Sequence, residues 1–98
     1  MLMFARNQEK GIYFCIDRFA EHELPWYIDM LCATDRDDVY AVYRIPNFVW
    51  IKAVGFDECT LNYMEDFLKR NSPIIERMCW HPEDFESLKS DRGLNNAT

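Results

Sequence analysis

The chain has 98 residues, 49% apolar and 15% aromatic, with only three Gly and four Pro. That is enough for one buried core and too little for two, and so many aromatics exclude a disordered chain. Seventeen acidic residues outnumber eleven basic ones, for a net charge of −6; direct nucleic-acid binding is not expected, because it takes a basic patch.

The elements follow in chain order. Leu2 to Ala5 is an expected strand, paired across Asn7 to Lys10 with a second over Gly11 to Asp17, a short β-branched and aromatic run with apolar residues on both faces. An interior proline costs a helix about 3 kcal/mol but suits its first position. Pro25 therefore predicts a short helix over 25–33, with Leu24, Tyr27, Ile28 and Leu31 on one face. Thr34 to Asp38 reads as a charged loop.

Residues 39–45 and 48–56 alternate as two strands joined by Pro46-Asn47, a pair that suits a type I turn and predicts a hairpin. In the first, Val39, Ala41, Tyr43 and Ile45 oppose Tyr40, Val42 and Arg44. In the second, Val49, Ile51, Ala53 and Gly55 oppose Phe48, Trp50, Lys52, Val54 and Phe56. From Asp57 the period becomes helical: Leu61, Met64, Phe67 and Leu68 form a stripe, capped by Asp57 or Thr60. Ser72-Pro73 reads as a second helix start. His81-Pro82 reads as a third, with Trp80 and Phe85 at the positions of a hydrophobic staple and Gly93 as a stop. The expected fold is α+β: a small antiparallel sheet of about four strands, including the hairpin 39–56, with helices at 25–33 and in the C-terminal third packed on one face. One domain is expected over 1–94, with 95–98 as a frayed tail.

Motifs that carry chemistry are scarce. The four cysteines (Cys15, Cys32, Cys59, Cys79) lack the close ligand pairs of a zinc site. Cys79 and His81 would point roughly 200° apart on a helix, which separates a nucleophile from its base. Asp35, Asp37 and Asp38 lack the glycine and distal glutamate of a calcium-binding EF-hand loop. With three glycines, a phosphate-cradling loop is hard to build. No cofactor or metal is expected, and the residues favour a non-enzymatic role. No apolar run reaches the ~18 residues of a membrane span, and Arg6 interrupts the apolar start. Reduced thiols in a cytoplasmic protein follow as the expectation.

One signal is positive. Seven acids and two arginines lie between Asp17 and Asp38, around Trp26 and Tyr27. Glu21, Glu23, Trp26, Tyr27, Asp35, Asp37 and Asp38 are therefore the candidate surface for a basic protein partner, in an inhibitor-, immunity- or accessory-like interaction module. A solvated loop with inward aromatics fits the same residues. The alternative function is a small-ligand-binding or weakly catalytic domain with a pocket between sheet and helices, lined by Tyr40, Tyr43, Trp50 and Trp80. A homodimer is compatible with either reading.

Overall fold

The structure, a computed structural model, describes residues 2–84. Five strands run in order: β1 (Leu2–Asn7), β2 (Ile12–Ala20), β3 (Tyr27–Ala33), β4 (Tyr40–Ile45) and β5 (Val49–Val54). Each pairs antiparallel with the next, so the sheet is a simple meander in sequence order. One helix follows, α1 (Glu58–Trp80). The expected α+β class, antiparallel sheet and helix on one face are all present, with five strands rather than four. Among the described residues no helix is long and apolar enough to cross a membrane.

Alternation along each strand assigns two faces to the sheet. Ile12, Phe14 and Ile16 of β2, Ile28, Met30 and Cys32 of β3, and Ala41, Tyr43 and Ile45 of β4 are buried together in one cluster. Met64, Leu68, Ile75 and Met78 of α1 complete it. These four recur at helical spacing over about 20 Å of axis, at 1.5 Å per residue. One helix thus covers the middle of the sheet. Phe67 stacks near Phe14 at 4.6 Å, and Trp80 meets Phe19 edge-on at 4.7 Å.

The segment 25–33 is not a helix. Its residues from Tyr27 form β3, the central strand, paired on both sides. Tyr27, Ile28 and Leu31 fit a helical stripe, but the same residues alternate Ile28, Met30, Cys32 against Tyr27, Asp29, Leu31. Two rows of cross-strand partners select the second pattern. Pro25 instead sits in the turn before β3, after a cis peptide bond to Leu24.

The second correction concerns Ser72-Pro73. The helix does not restart there; it runs through Pro73 to Trp80. Proline has no amide to donate to the Lys69 carbonyl, and the Ser72 hydroxyl donates to that oxygen instead, at 3.0 Å. Ile75 and Met78 continue the buried stripe of Met64 and Leu68, so breaking the helix would strip two core side chains from the sheet. The expected helix start at His81-Pro82, its staple through Phe85, the stop at Gly93 and the tail 95–98 lie wholly or partly outside the described residues.

The third correction is a face. β5 does not alternate strictly, because its pairing shifts between Val42 and Tyr43: Val42 faces Lys52 while Tyr43 faces Trp50. Ile51 is the extra residue of a bulge. Trp50 therefore joins the core, and Lys52 moves to the opposite face from it.

Two tests follow from this packing. Gly55 has φ +85, and a Cβ there would lie 2.9 Å from both the Asp38 carbonyl oxygen and Val39 Cγ2. Gly55→Ala should lower the unfolding free energy by more than about 1 kcal/mol, read from the urea midpoint. At the helix start, the Asp57 carboxylate accepts the Thr60 amide at 2.7 Å, which holds its carboxyl below the ordinary 3.8. A folded pKa below the unfolded one contributes stability above the unfolded value, and that contribution is lost as pH falls through the folded one. Asp57→Ala should therefore reduce the urea midpoint at neutral pH, and the gap from the parent chain should narrow progressively as pH falls below 3.8.

Candidate functional site

With α1 on one side, the other face of the sheet carries no second layer among the described residues. Strand alternation builds it in rows. Arg6, Tyr13, Ala33, Tyr40 and Val54 are cross-strand neighbours along one row. Met3, Cys15, Leu31, Val42 and Lys52 form the next, and Arg18, Asp29, Arg44 and Val49 a third. Leu31 occupies the centre, flanked by Cys15 and Val42. Tyr27 extends the face beyond Asp29. Leu31, Val42, Tyr13, Tyr27 and Tyr40 are all half-buried, and Met3 is 39% exposed.

Each tyrosine of this face lies under a cation. The Arg6 guanidinium sits 5.3 Å from the Tyr13 ring centre, and the Lys52 ammonium 5.4 Å from that of Tyr40. Arg18 and Arg44 approach the Tyr27 ring at 5.4 and 3.7 Å. Such contacts contribute roughly 0.5–1 kcal/mol each when exposed, so their main effect is to fix where the charges stand. Arg44 is held more firmly: Nε donates to one Asp29 oxygen at 2.8 Å and a terminal nitrogen to the other at 3.1 Å. Asp29 is buried, and this two-pronged bond satisfies it. Tyr40 holds the Lys52 ammonium charged to higher pH than usual.

The expected acidic surface is not one surface. Glu21 and Glu23 belong to the turn between β2 and β3; Asp35, Asp37 and Asp38 belong to the loop between β3 and β4. A seven-residue strand separates the two groups, which puts them ~20 Å apart at opposite ends of the sheet. Trp26 turns toward the helix end and meets Trp80 edge-on at 5.5 Å, whereas Tyr27 lies on the open face. Asp38 is bound to Arg36, whose guanidinium lowers its carboxyl pKa, and Asp35 accepts the Tyr13 hydroxyl at 3.1 Å.

Nor do the four pocket residues converge. Tyr43 is fully buried beneath α1, its hydroxyl donating to Glu65 at 2.9 Å, and Trp50 packs edge-on against it at 4.7 Å. Tyr40 is on the other side of the sheet. Trp80 ends the helix beside Phe19 and Trp26. Tyr43, Trp50 and Trp80 fill the core and its border, and with Tyr40 on the opposite face the four do not line one cavity.

Three of the thiols, Cys15, Cys32 and Cys79, are not poised as nucleophiles. Burial pushes Cys32 up to about 12 and Cys79 up to about 11, with neighbouring Glu76 adding to the latter. Cys15 is raised by burial and then by Asp17. Among the described residues no group of three His, Cys, Asp or Glu side chains could hold a metal ion. Comparison with protein-family models, curated proteins and solved structures finds no match to this chain.

The open-face residues Arg6, Tyr13, Arg18, Leu31, Val42, Arg44 and Lys52 did not stand out from the sequence. Their signal was there in Tyr40, Val42 and Arg44, which share one parity of a strand. Its partners on β3 were hidden by the helical reading of 25–33, and the bulge at Ile51 concealed that Lys52 joins them.

The Asp29–Arg44 bond yields a test. Asp29→Ala leaves the half-buried Arg44 without its acceptor and should cost about 2 kcal/mol in urea unfolding. Adding Arg44→Leu to that variant should recover much of the loss, since the cost lies in the stranded charge.

Proposed function

We propose that this chain is a small protein-interaction module that presents the open face of its sheet to another protein. One observation carries the reading: a tyrosine-bearing face centred on Leu31 and Val42 that no described helix covers. Five strands about 4.8 Å apart and about six residues long give it on the order of 400 Å², the scale of patches on which monomers act. A standard interface takes about 800 Å² from each partner, so this face would form the centre and the flanking loops the rim. Tyrosine and arginine are also the residues that interfaces favour.

The acidic loops support a lesser role. Glu21 and Glu23 at one end of the sheet, and Asp35, Asp37 and Asp38 at the other, would meet a partner only at the rim of such a contact. Dimerisation through the sheet edges is opposed by both edge strands: β1 and β5 each carry a bulge and a cation, the features that blunt edge-to-edge pairing. A cytoplasmic setting accords with the four free thiols.

The test compares tagged protein with two variants in capture from host lysate. One is Leu31→Ser with Val42→Ser on the face; the other neutralises Glu21, Glu23, Asp35, Asp37 and Asp38 together. The expected result is a stoichiometric partner held by the parent and the loop variant and lost from the face variant, with circular dichroism unchanged. Loss from the loop variant alone would overturn the reading and return the interaction to the acidic loops.

A further inference from the structure

The net charge of −6 describes the chain and not its open face. Nine lysine and arginine side chains lie among the described residues. Five of them, Arg36, Arg44, Lys69, Arg70 and Arg77, bind a carboxylate within 4.0 Å. That leaves Arg6, Lys10, Arg18 and Lys52. Each of the four rests on a tyrosine ring instead, and three of them, all but Lys10, are on the open face. Among the described residues these three stand without a carboxylate partner within 4.0 Å. The carboxylates of the face are fewer: Asp29 is consumed by Arg44, Asp17 stands beside Cys15, and Asp35, in the loop at one end, accepts the Tyr13 hydroxyl.

Their positions form a rim. Arg6 lies on the edge strand β1, Lys52 on the opposite edge strand β5, and Arg18 toward the far end of β2. Leu31, Val42, Cys15 and Ala33 occupy the space between them. An apolar centre inside a charged rim is the anatomy of a protein–protein contact. A single-stranded nucleic acid would instead need a continuous cationic track and aromatic faces open for stacking, and here the rings already carry cations. A second copy of the chain, docked face to face, would set these cations against their own kind.

We infer that the open face binds an acidic protein surface, in which carboxylates meet Arg6, Arg18 and Lys52 around an apolar anchor seated on Leu31 and Val42. The inference rests on the interaction reading above and adds the sign of the partner. Arg44 contributes less directly: its bond to Asp29 spends its charge and leaves it to support Tyr27. Charge complementarity of this kind raises association rates and fails at high salt.

The experiment titrates the purified protein with a random glutamate–tyrosine copolymer, with polylysine and with an oligothymidylate strand, at low and high salt. Amide chemical shifts map each contact. The expected result is copolymer binding that perturbs Tyr13, Leu31, Tyr40 and Val42 and weakens with salt. It should fall at least about tenfold in the Arg6→Gln, Arg18→Gln, Lys52→Gln variant, whose urea midpoint is measured alongside. Lys52→Gln alone, on the exposed edge strand, keeps the test valid if the triple variant fails to fold, and should show a smaller loss in the same direction. Copolymer binding that ignores these substitutions, or shifts confined to other surfaces, would overturn the inference. So would tighter binding of oligothymidylate on this face, or self-association without any probe. If the lysate partner still needs Leu31 and Val42 while the copolymer does not bind, only the charge assignment fails; if neither binds there, the interaction reading fails with it.

Discussion

The whole arrangement depends on one contact, the stripe of Met64, Leu68, Ile75 and Met78 pressed onto the middle strands. A sheet has two faces and this chain supplies, within its described residues, a helix for one. Burying a side chain of this size gains roughly 1.5–3 kcal/mol, and the stripe and its sheet partners gather most of the fully buried residues. That gain keeps the helix continuous past a proline that would otherwise interrupt it.

The open face is tolerated because its polar groups are organised rather than absent. Asp29 sits nearly out of solvent at the centre of a strand, and its neighbour Arg44 supplies two donors in the geometry that a carboxylate accepts best. The guanidinium then stands over Tyr27, 3.7 Å from its ring centre. Arg6 and Lys52 set their charged ends over the rings of Tyr13 and Tyr40, and Arg18 shares that of Tyr27, which masks apolar area without sealing it. The same side chains thus partly mask the face and mark it with a sign.

Bulges decide what the edges and faces present. The extra residue at Ile51 turns Trp50 into the core and Lys52 away from it, and the shift between Met3 and Ala5 lets Phe4 reach Phe67. Both irregularities fall on edge strands, where an unpaired ladder would otherwise invite another chain. Phe48, at φ 59 in the turn between β4 and β5, stacks on the ring of Tyr43. A residue that size seldom adopts such a backbone; the stacking contact is what it gains there.

The sequence by itself determined the elements whose pattern has only one solution. The hairpin around Pro46-Asn47, the strands before and after Gly11, the helix from Asp57 and its cap, and the α+β class were all legible, because long runs kept a period of two or of three and a half. Local pattern could not separate strand from helix at 27–33, since residues apolar on both faces of a central strand also fit a helical stripe. Nor could it foresee the helix crossing Pro73, where burial of Ile75 and Met78 and the hydroxyl of Ser72 outweigh the lost amide. The candidate site was hidden for the same reason. Glu21 and Asp35 are close in sequence yet sit at opposite ends of an extended strand, while Arg6, Arg18 and Lys52, scattered along the chain, come to one face. Only pairing register and bulges bring such residues together, and those are properties of strands that have found their neighbours.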